Sequence, residues 1–277
     1  MIKNRLDRKY ADLATNLKAD CRKCSGLCCV ALYCMKTDGF PADKEAGKPC
    51  KHLSPDFRCE IHSKLADKNM RGCLAYDCFG AGQKTTQIYH SIGTWNTNPE
   101  QANEIFEAFR VVFMLHHMLW YLVEAYYLIS DEQLKSTIDA LIFENEQMIH
   151  NLPGDISQLC VKKYRLIVNE VLKQISSMFS VDAADKISSA DYFGKNFEKE
   201  NLDGRDFSMS LMIAANLEGC SLKGTNFLGA DMRDAKLKNT DLSECIFLTQ
   251  MQINSARGNS NTKIPKNLSR PTTWQEL

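Results

Sequence analysis

Hydrophobic residues follow different rhythms in different parts of this chain. From Tyr192 to Phe247 the rhythm is five. Tyr192, Phe197, Leu202, Phe207, Met212, Leu217, Leu222, Phe227, Met232, Leu237, Leu242 and Phe247 are all large and apolar. Neither a helix of 3.6 residues per turn nor a strand of period two yields such a column. A second column stands two places before each centre. From Ser210 onward it holds only small residues: Ser210, Ala215, Cys220, Thr225, Ala230, Ala235, Thr240 and Cys245. The residue just before the centre is Asn or Asp in eight of the twelve units, and five glycines recur two places after it. A fixed short period predicts a stack of coils, each turn burying its inner residues against its neighbours.

Elsewhere the rhythm is helical. Ile2, Leu6, Tyr10, Leu13 and Leu17 predict an amphipathic helix over residues 2–19. A long helix is predicted over residues 99–129. Its apolar run from Val111 to Val123 is long enough to raise a membrane reading, but Asn103, Glu107, Arg110, His117, Tyr121 and Glu124 form a narrow polar stripe. That stripe predicts a core helix instead. Ser130 to Gln133 reads as a capping box for a helix ending near Asn151. Asp155 opens a third helix carrying Ile156, Leu159, Tyr164, Ile167, Val168, Val171 and Ile175, with Cys160 on its apolar face. Short loops between these helices predict an antiparallel bundle. The apolar column fails after Gln252, so the coils are expected to stop there. A tail with Pro265, Pro271 and Trp274 is expected to cover their end.

The five-residue column resembles the pentapeptide-repeat family, whose pattern is roughly A-(D/N)-L-x-x. Ala215-Asn216-Leu217-Glu218-Gly219 and Ala230-Asp231-Met232-Arg233-Asp234 are the clearest copies. The resemblance implies a right-handed, four-sided β-helix with four pentapeptides per coil. Twelve units then make three coils, a stub about 15 Å tall at the ~4.8 Å spacing of strands. In the first coil the small column reads Lys195, Glu200 and Arg205. Charged groups resist burial, so that coil is expected to be open or covered by other parts of the chain.

One stretch has no rhythm. Residues 21–78 are rich in Gly, Pro, Asp and Lys, and carry nine of the twelve cysteines. Such a segment buries little apolar area, so a bound metal is the expected source of its order. The N-terminus is charged throughout and has no apolar segment of a signal peptide. Clustered cysteines without such a signal point to a reducing, cytoplasmic setting and to metal ligation rather than disulfides. The candidate ligands are Cys21, Cys24, Cys28 and Cys29, joined by Cys50, Cys59, Cys73 and Cys78, with Cys34 as the spare thiol. Cys21-x2-Cys24 brings two sulfurs to one ion from a single turn. His52 and His62 are secondary candidates. Zinc and iron both suit thiolates, and a [4Fe–4S] cluster needs only four cysteines.

The cysteine run also resembles the bacterial zinc- or iron-chelating family written CxxCxxCC. Cys50-Lys-His-Leu, Cys59-Glu-Ile-His62 and Arg71-Gly72-Cys73 fill its later positions. The first cluster has one extra residue, and Gly72 replaces a proline.

The expected architecture is therefore multidomain, α plus β-solenoid. A cysteine-rich module spans 1–88, a helical bundle 89–180, the repeats 188–252 and a capping tail 253–277. Acidic and basic residues balance at 34 each, so no overall field favours nucleic acid or an anionic membrane. The expected role is a metal-binding scaffold that engages another protein. The alternative is an iron–sulfur or iron-dependent redox enzyme. Some members of the repeat family mimic DNA and bind type II topoisomerases. That reading stands lowest, because Asp191–Phe247 has ten acidic against seven basic side chains, too few for a DNA-like rod. No spacing supports a catalytic triad. Gly80-Ala-Gly82 is weak as a nucleotide motif, since no strand is predicted before it. His116 and His117 are expected to be core residues.

Overall fold

The computed structural model describes residues 9–153, 158–180 and 191–274. Ile2, Leu6, Asp155, Ile156 and residues 181–190 lie outside the described residues. The described residues fall into two compact units. One combines those up to Gly72 with Asp77–Leu172; the other combines Cys73–Tyr76 with those from Lys173 onward. The cysteine segment and most of the helical part thus share one unit.

The helices in chain order are α1 (Ala11–Asn16), α2 (Leu27–Ala31), α3 (Arg71–Ala75), α4 (Ala81–Ile88), α5 (Ala102–Leu128), α6 (Glu132–His150), α7 (Gln158–Phe179) and α8 (Gln250–Ser255). Of the described residues in the predicted 2–19 helix, only Ala11–Asn16 is α-helical. α5 opens from a 3-10 turn at Pro99–Gln101, where proline gives up no needed amide. It is long and apolar enough to cross a membrane by length and composition. Yet Phe109, Val112, Leu115, Leu119 and Leu122 are buried inside its own unit. The predicted polar stripe faces out at Asn103 and Glu107, is half-buried at Arg110, His117 and Glu124, and is buried at Tyr121.

The cap of α6 is Asp131, not Ser130: its carboxylate accepts from the Leu134 amide at 2.9 Å. The helix therefore starts one residue later than the capping-box pattern predicts. A buried polar relay joins three helices. Asn145 Nδ2 donates to the Leu115 carbonyl at 3.1 Å and to Tyr164 Oη at 3.2 Å, and Tyr164 donates to the Leu141 carbonyl at 2.8 Å. On α7, Val161, Tyr164, Val168, Leu172 and Ile175 are buried, whereas Ile167 is exposed. Cys160 is exposed as well, because it lies one position off that stripe.

In the second unit the five-residue period becomes a ladder. Among the described residues no continuous strand forms. Isolated parallel bridges instead join the residue before each centre to the one twenty further on, from Asp191↔Leu211 to Asn226↔Ile246. Twenty residues are four pentapeptides, so equivalent positions stack. The centres from Phe197 to Phe247 are buried, as is the small column from Ser210 to Cys245. Size is only part of what the small column supplies. Cys220 Sγ, Thr225 Oγ1, Thr240 Oγ1 and Cys245 Sγ donate to the carbonyls of Phe197, Leu202, Leu217 and Leu222 in the preceding coil, at 2.8, 2.8, 2.7 and 3.1 Å. This places the two coil cysteines in packing roles, as their positions predict.

Ten corners, from Gly194 to Asn239, are turns with positive φ two places after the centre. All eight Asn or Asp residues that precede a centre accept from the amide two residues on. This is the short-range turn chemistry that favours Asx residues there. In the first coil Lys195 and Glu200 are exposed and Arg205 is half-buried. Lys195 Nζ lies 5.2 Å from the centre of the Tyr192 ring and 4.9 Å from that of Phe197, the geometry of a cation–π pair.

The ladder does not stop at Gln252. α8 replaces one corner, and bridges continue at Lys236↔Arg257 and Asp241↔Lys263. Gln252 Nε2 donates to the Phe227 and Ala230 carbonyls at 2.8 and 3.0 Å, and Thr262 Oγ1 to the Leu237 carbonyl at 2.8 Å. Polar donors continue the pairing after the apolar column has lapsed, which is why hydrophobicity alone misplaced the end. Trp274 is buried against Gly258 and donates to the Ala256 carbonyl at 3.1 Å.

Candidate metal centre

The cysteine segment is organised around two short helices that begin alike. Cys24-Ser25-Gly26 leads into α2, and Cys78-Phe79-Gly80 leads into α4. Gly26 and Gly80 are both left-handed, at φ 71° and 74°. This turn brings backbone amides two to four residues further on towards the cysteine. At Cys24 burial raises the thiol and outweighs the nearby amides of Leu27 and Gly26 and the Thr86 side chain, which favour the thiolate. At Cys78 burial again outweighs the amides of Gly82 and Gly80, which act in the same sense. The two sulfurs converge on Gly82: a Cβ there would stand 2.7 Å from Cys24 Sγ and 3.8 Å from Cys78 Sγ. Gly80 is equally constrained, since its Cβ would lie 2.1 Å from the Asn16 carbonyl oxygen. The Gly-x-Gly pair thus serves close approach of a sulfur and a backbone.

The surrounding bonds fix this arrangement. Gln83 Oε1 accepts from the Asp20 amide at 2.7 Å, and Thr86 Oγ1 accepts from the Ser25 amide at 2.9 Å. Both residues lie on α4, so that helix holds the Cys21–Cys24 loop. Trp95 Nε1 donates to the Ser25 carbonyl at 2.7 Å. Phe79 is buried and left-handed, at φ 49°. His116 bonds its carbonyl, and His117 stacks on its ring with centroids 4.7 Å apart. The histidines of α5 therefore brace the turn next to Cys78. The sequence pattern placed them in the core but gave no sign of this role.

Cys28 and Cys29 follow each other on α2, with sulfurs 4.0 Å apart. The Cys29 carbonyl accepts from the Cys50 amide at 2.9 Å, and the Cys50 carbonyl from the Leu53 amide at 3.0 Å. Leu53 then bridges Cys59. Cys34 pairs with Lys44. The Lys44 ammonium shares its three protons among four carbonyls within hydrogen-bond distance, those of Val30, Leu32, Glu45 and Lys48. Arg58 ties the Cys59 hairpin to the carbonyls of Cys21 and Arg22. Cys21, Cys24, Cys28, Cys29, Cys34, Cys50, Cys59 and Cys78 are thiols in the first unit; none is in a disulfide. Cys73 belongs to the second unit. His52 is half-buried, and His62 is exposed in a 3-10 turn.

Burial raises the thiols of Cys21, Cys24, Cys34 and Cys59, and pushes Cys78 up to about 12. Cys28 is raised well above its ordinary value because it donates to Cys29, and burial adds to this. Cys29 is lowered by that same bond, against burial and with help from Lys44. Any thiophilic ion must therefore displace protons. Among the described residues no three His, Cys, Asp or Glu side chains already stand close enough together to hold an ion. The chemistry nevertheless fits one. Amides near the Cys24 and Cys78 sulfurs favour their thiolates, and the positive charge of an ion would overcome the burial that now keeps them protonated.

The chain is 40% identical over 266 residues to the "Uncharacterized protein YybG" of Bacillus subtilis (strain 168), covering 94% of this chain and 95% of that protein. It belongs to the YybG family. Within it, residues 210–247 match the model for pentapeptide repeats in eight copies. The YybG family member described here is thus a repeat protein.

Proposed function

We propose that this chain is a metal-binding pentapeptide-repeat protein that acts as an interaction scaffold in the cytoplasm. The observation that carries the metal reading is the convergence of the Cys24 and Cys78 sulfurs on Gly82. Cys21, Cys28, Cys29, Cys50 and Cys59 complete the ligand set. Cys73, part of the sequence-based set, enters only as a candidate. The ion is zinc or iron, alone or in a [4Fe–4S] cluster, and when bound it cross-links thiolates. A thiolate-bound ion supplies on the order of 10 kcal/mol. Ordering the backbone costs roughly 1–2 kcal/mol per residue, and the burial of Leu27, Val30, Ile61, Leu65, Met70 and Phe79 offsets part of it, more than the sequence pattern predicts.

The repeats are read as a right-handed, four-sided β-helix. The twenty-residue bridge register, the stacked apolar centres and the turn at each corner support this. Outward positions such as Glu218, Lys223 and Lys238 give the coils polar sides on which another protein can dock. No catalytic constellation is required.

Elemental analysis of protein purified without oxygen tests the reading. Stoichiometric zinc in colourless protein, or iron in brown protein absorbing in the visible, supports it. Limited proteolysis adds a second measure. Stripping the metal with a strong chelator, or substituting Cys24→Ser, should expose cleavage within residues 21–84 while the coils stay resistant. Absence of metal from every preparation, with equal protection before and after chelation, would sink the proposal.

A further inference from the structure

We propose that Cys28 and Cys29 form a vicinal dithiol, a site of reversible modification that takes peroxides and closes to a disulfide between neighbouring residues. The modification goes beyond the metal-binding reading above and does not depend on it. Where an ion is bound, closure withdraws two of its ligands at once.

The observation is one of sulfur geometry. Successive side chains on a helix diverge by about 100°, which ordinarily sends adjacent cysteines apart. On α2 the two thiols turn towards each other instead, and their sulfurs stand 4.0 Å apart. Both are half-buried and neither is in a disulfide, so a small oxidant can reach them. A thiol held this near has a high effective concentration for attack on its oxidised neighbour.

The chemistry balances within the pair. Hydrogen peroxide oxidises one thiol to a sulfenic acid: the O–O bond breaks, an S–O bond forms and one water leaves. The second sulfur then attacks the sulfenic sulfur. The S–O bond breaks, the S–S bond forms and another water leaves. Two thiols and one peroxide thus give one disulfide and two waters, with both electrons drawn from the sulfurs. A thiol reductant reverses the step by exchange.

Closure also reshapes the backbone. Adjacent Cα atoms lie about 3.8 Å apart, closer than the roughly 4.4–6.8 Å of most disulfides. The bond is therefore strained and easily reduced. α2 resists little, since it has five residues between left-handed Gly26 and extended Leu32. Its carbonyls hold the loop that follows: that of Cys29 accepts from the Cys50 amide at 2.9 Å, and that of Val30 from the Gly47 amide at 2.8 Å. A backbone change at Cys28 and Cys29 is thereby passed to Cys50.

The test treats the intact chain, as purified, with excess hydrogen peroxide. Remaining thiols are blocked with N-ethylmaleimide and tryptic peptides are mapped by mass spectrometry. Cleavage after Lys23 and Lys36 releases one peptide with Cys24, Cys28, Cys29 and Cys34. After oxidation it should be two hydrogens lighter, carry maleimide on Cys24 and Cys34 only, and regain four free thiols with dithiothreitol. Cys24→Ser and Cys34→Ser should keep the disulfide. Should a serine variant unfold, phenylarsine oxide on the reduced parent gives a second measure, because a trivalent arsenical bridges paired thiols; it should shield Cys28 and Cys29 together from maleimide. Maleimide on Cys28 or Cys29 after oxidation, a disulfide from either to a third cysteine, or arsenical protection of a different pair overturns the proposal. Metal content of the untreated protein bears on the metal reading alone: an ion-free preparation that still closes the Cys28–Cys29 bond counts against that reading and supports this one.

Discussion

His116 Nδ1 lies 2.6 Å from the carbonyl oxygen of Phe79 and donates a hydrogen bond to it. The bond reaches from the middle of the longest helix to the left-handed residue that follows Cys78. It sets the tautomer, with the proton on Nδ1, and it needs a neutral ring only in part: burial is what lowers the His116 pKa, from 6.5 to about 4.

That shift predicts a pH dependence. The folded-state value lies below the unfolded one, so between pH 6.5 and about 4 the unfolded chain binds more protons. The contribution to stability is complete above pH 6.5 and is lost as pH falls through that window, by up to roughly 1.4 kcal/mol per pH unit. Urea unfolding of the parent and of His116→Gln at pH 7.5 and pH 4.5 should show a smaller acid-induced loss in the variant. Equal losses would mean that another group carries the effect.

The corners of the coils separate backbone strain from crowding. A Cβ on Gly224 would meet nothing within 4 Å, yet φ there is +69°. Gly224→Ala should therefore cost about 1 kcal/mol from conformation alone. Ala214 occupies the same kind of corner at φ +56°, so Ala214→Gly should stabilise by roughly 0.5 kcal/mol. Thermal unfolding of both variants checks the pair, and shifts of the same sign would refute the corner assignment.

Inward and outward positions along one rung should respond in opposite ways. Leu222 is buried among the centres, while Lys223 is exposed and pairs with Glu244 at 3.4 Å. Leu222→Asp places a charge in the core and should unfold the coils. Lys223→Asp removes only a surface ion pair, worth under about 1 kcal/mol. Circular dichroism melts should separate them clearly; if both variants melt with the parent, the five-residue register is wrong.

Gly82→Ala probes the sulfur cradle. Its Cβ would press on Cys24 Sγ at 2.7 Å and force that sulfur away from Cys78. The variant should bind metal more weakly than the parent, and a competition titration against a colorimetric chelator measures this. Unchanged affinity would show that Cys24 and Cys78 do not share an ion.

The sequence by itself determined the repeats. A period of five leaves each side chain one geometric role, and burial, bridge register and Asx bonding follow the columns residue by residue from Phe197 to Phe247. It also determined the central helices, because long amphipathic patterns are set by local spacing. Tertiary structure alone decided the extent of the ladder, since Gln252 and Thr262 continue it by side-chain hydrogen bonds that hydrophobicity does not register. It alone decided the cap of α6, where Asp131 rather than Ser130 reaches the Leu134 amide. Above all it decided the grouping of the cysteines. Spacing along the chain shows that Cys21 and Cys24 are neighbours. Only folding brings Cys78 to Cys24 over Gly82, Cys50 to Cys29, and His116 to the turn beside Cys78, because partners so distant in sequence are chosen by how helices pack and not by local pattern.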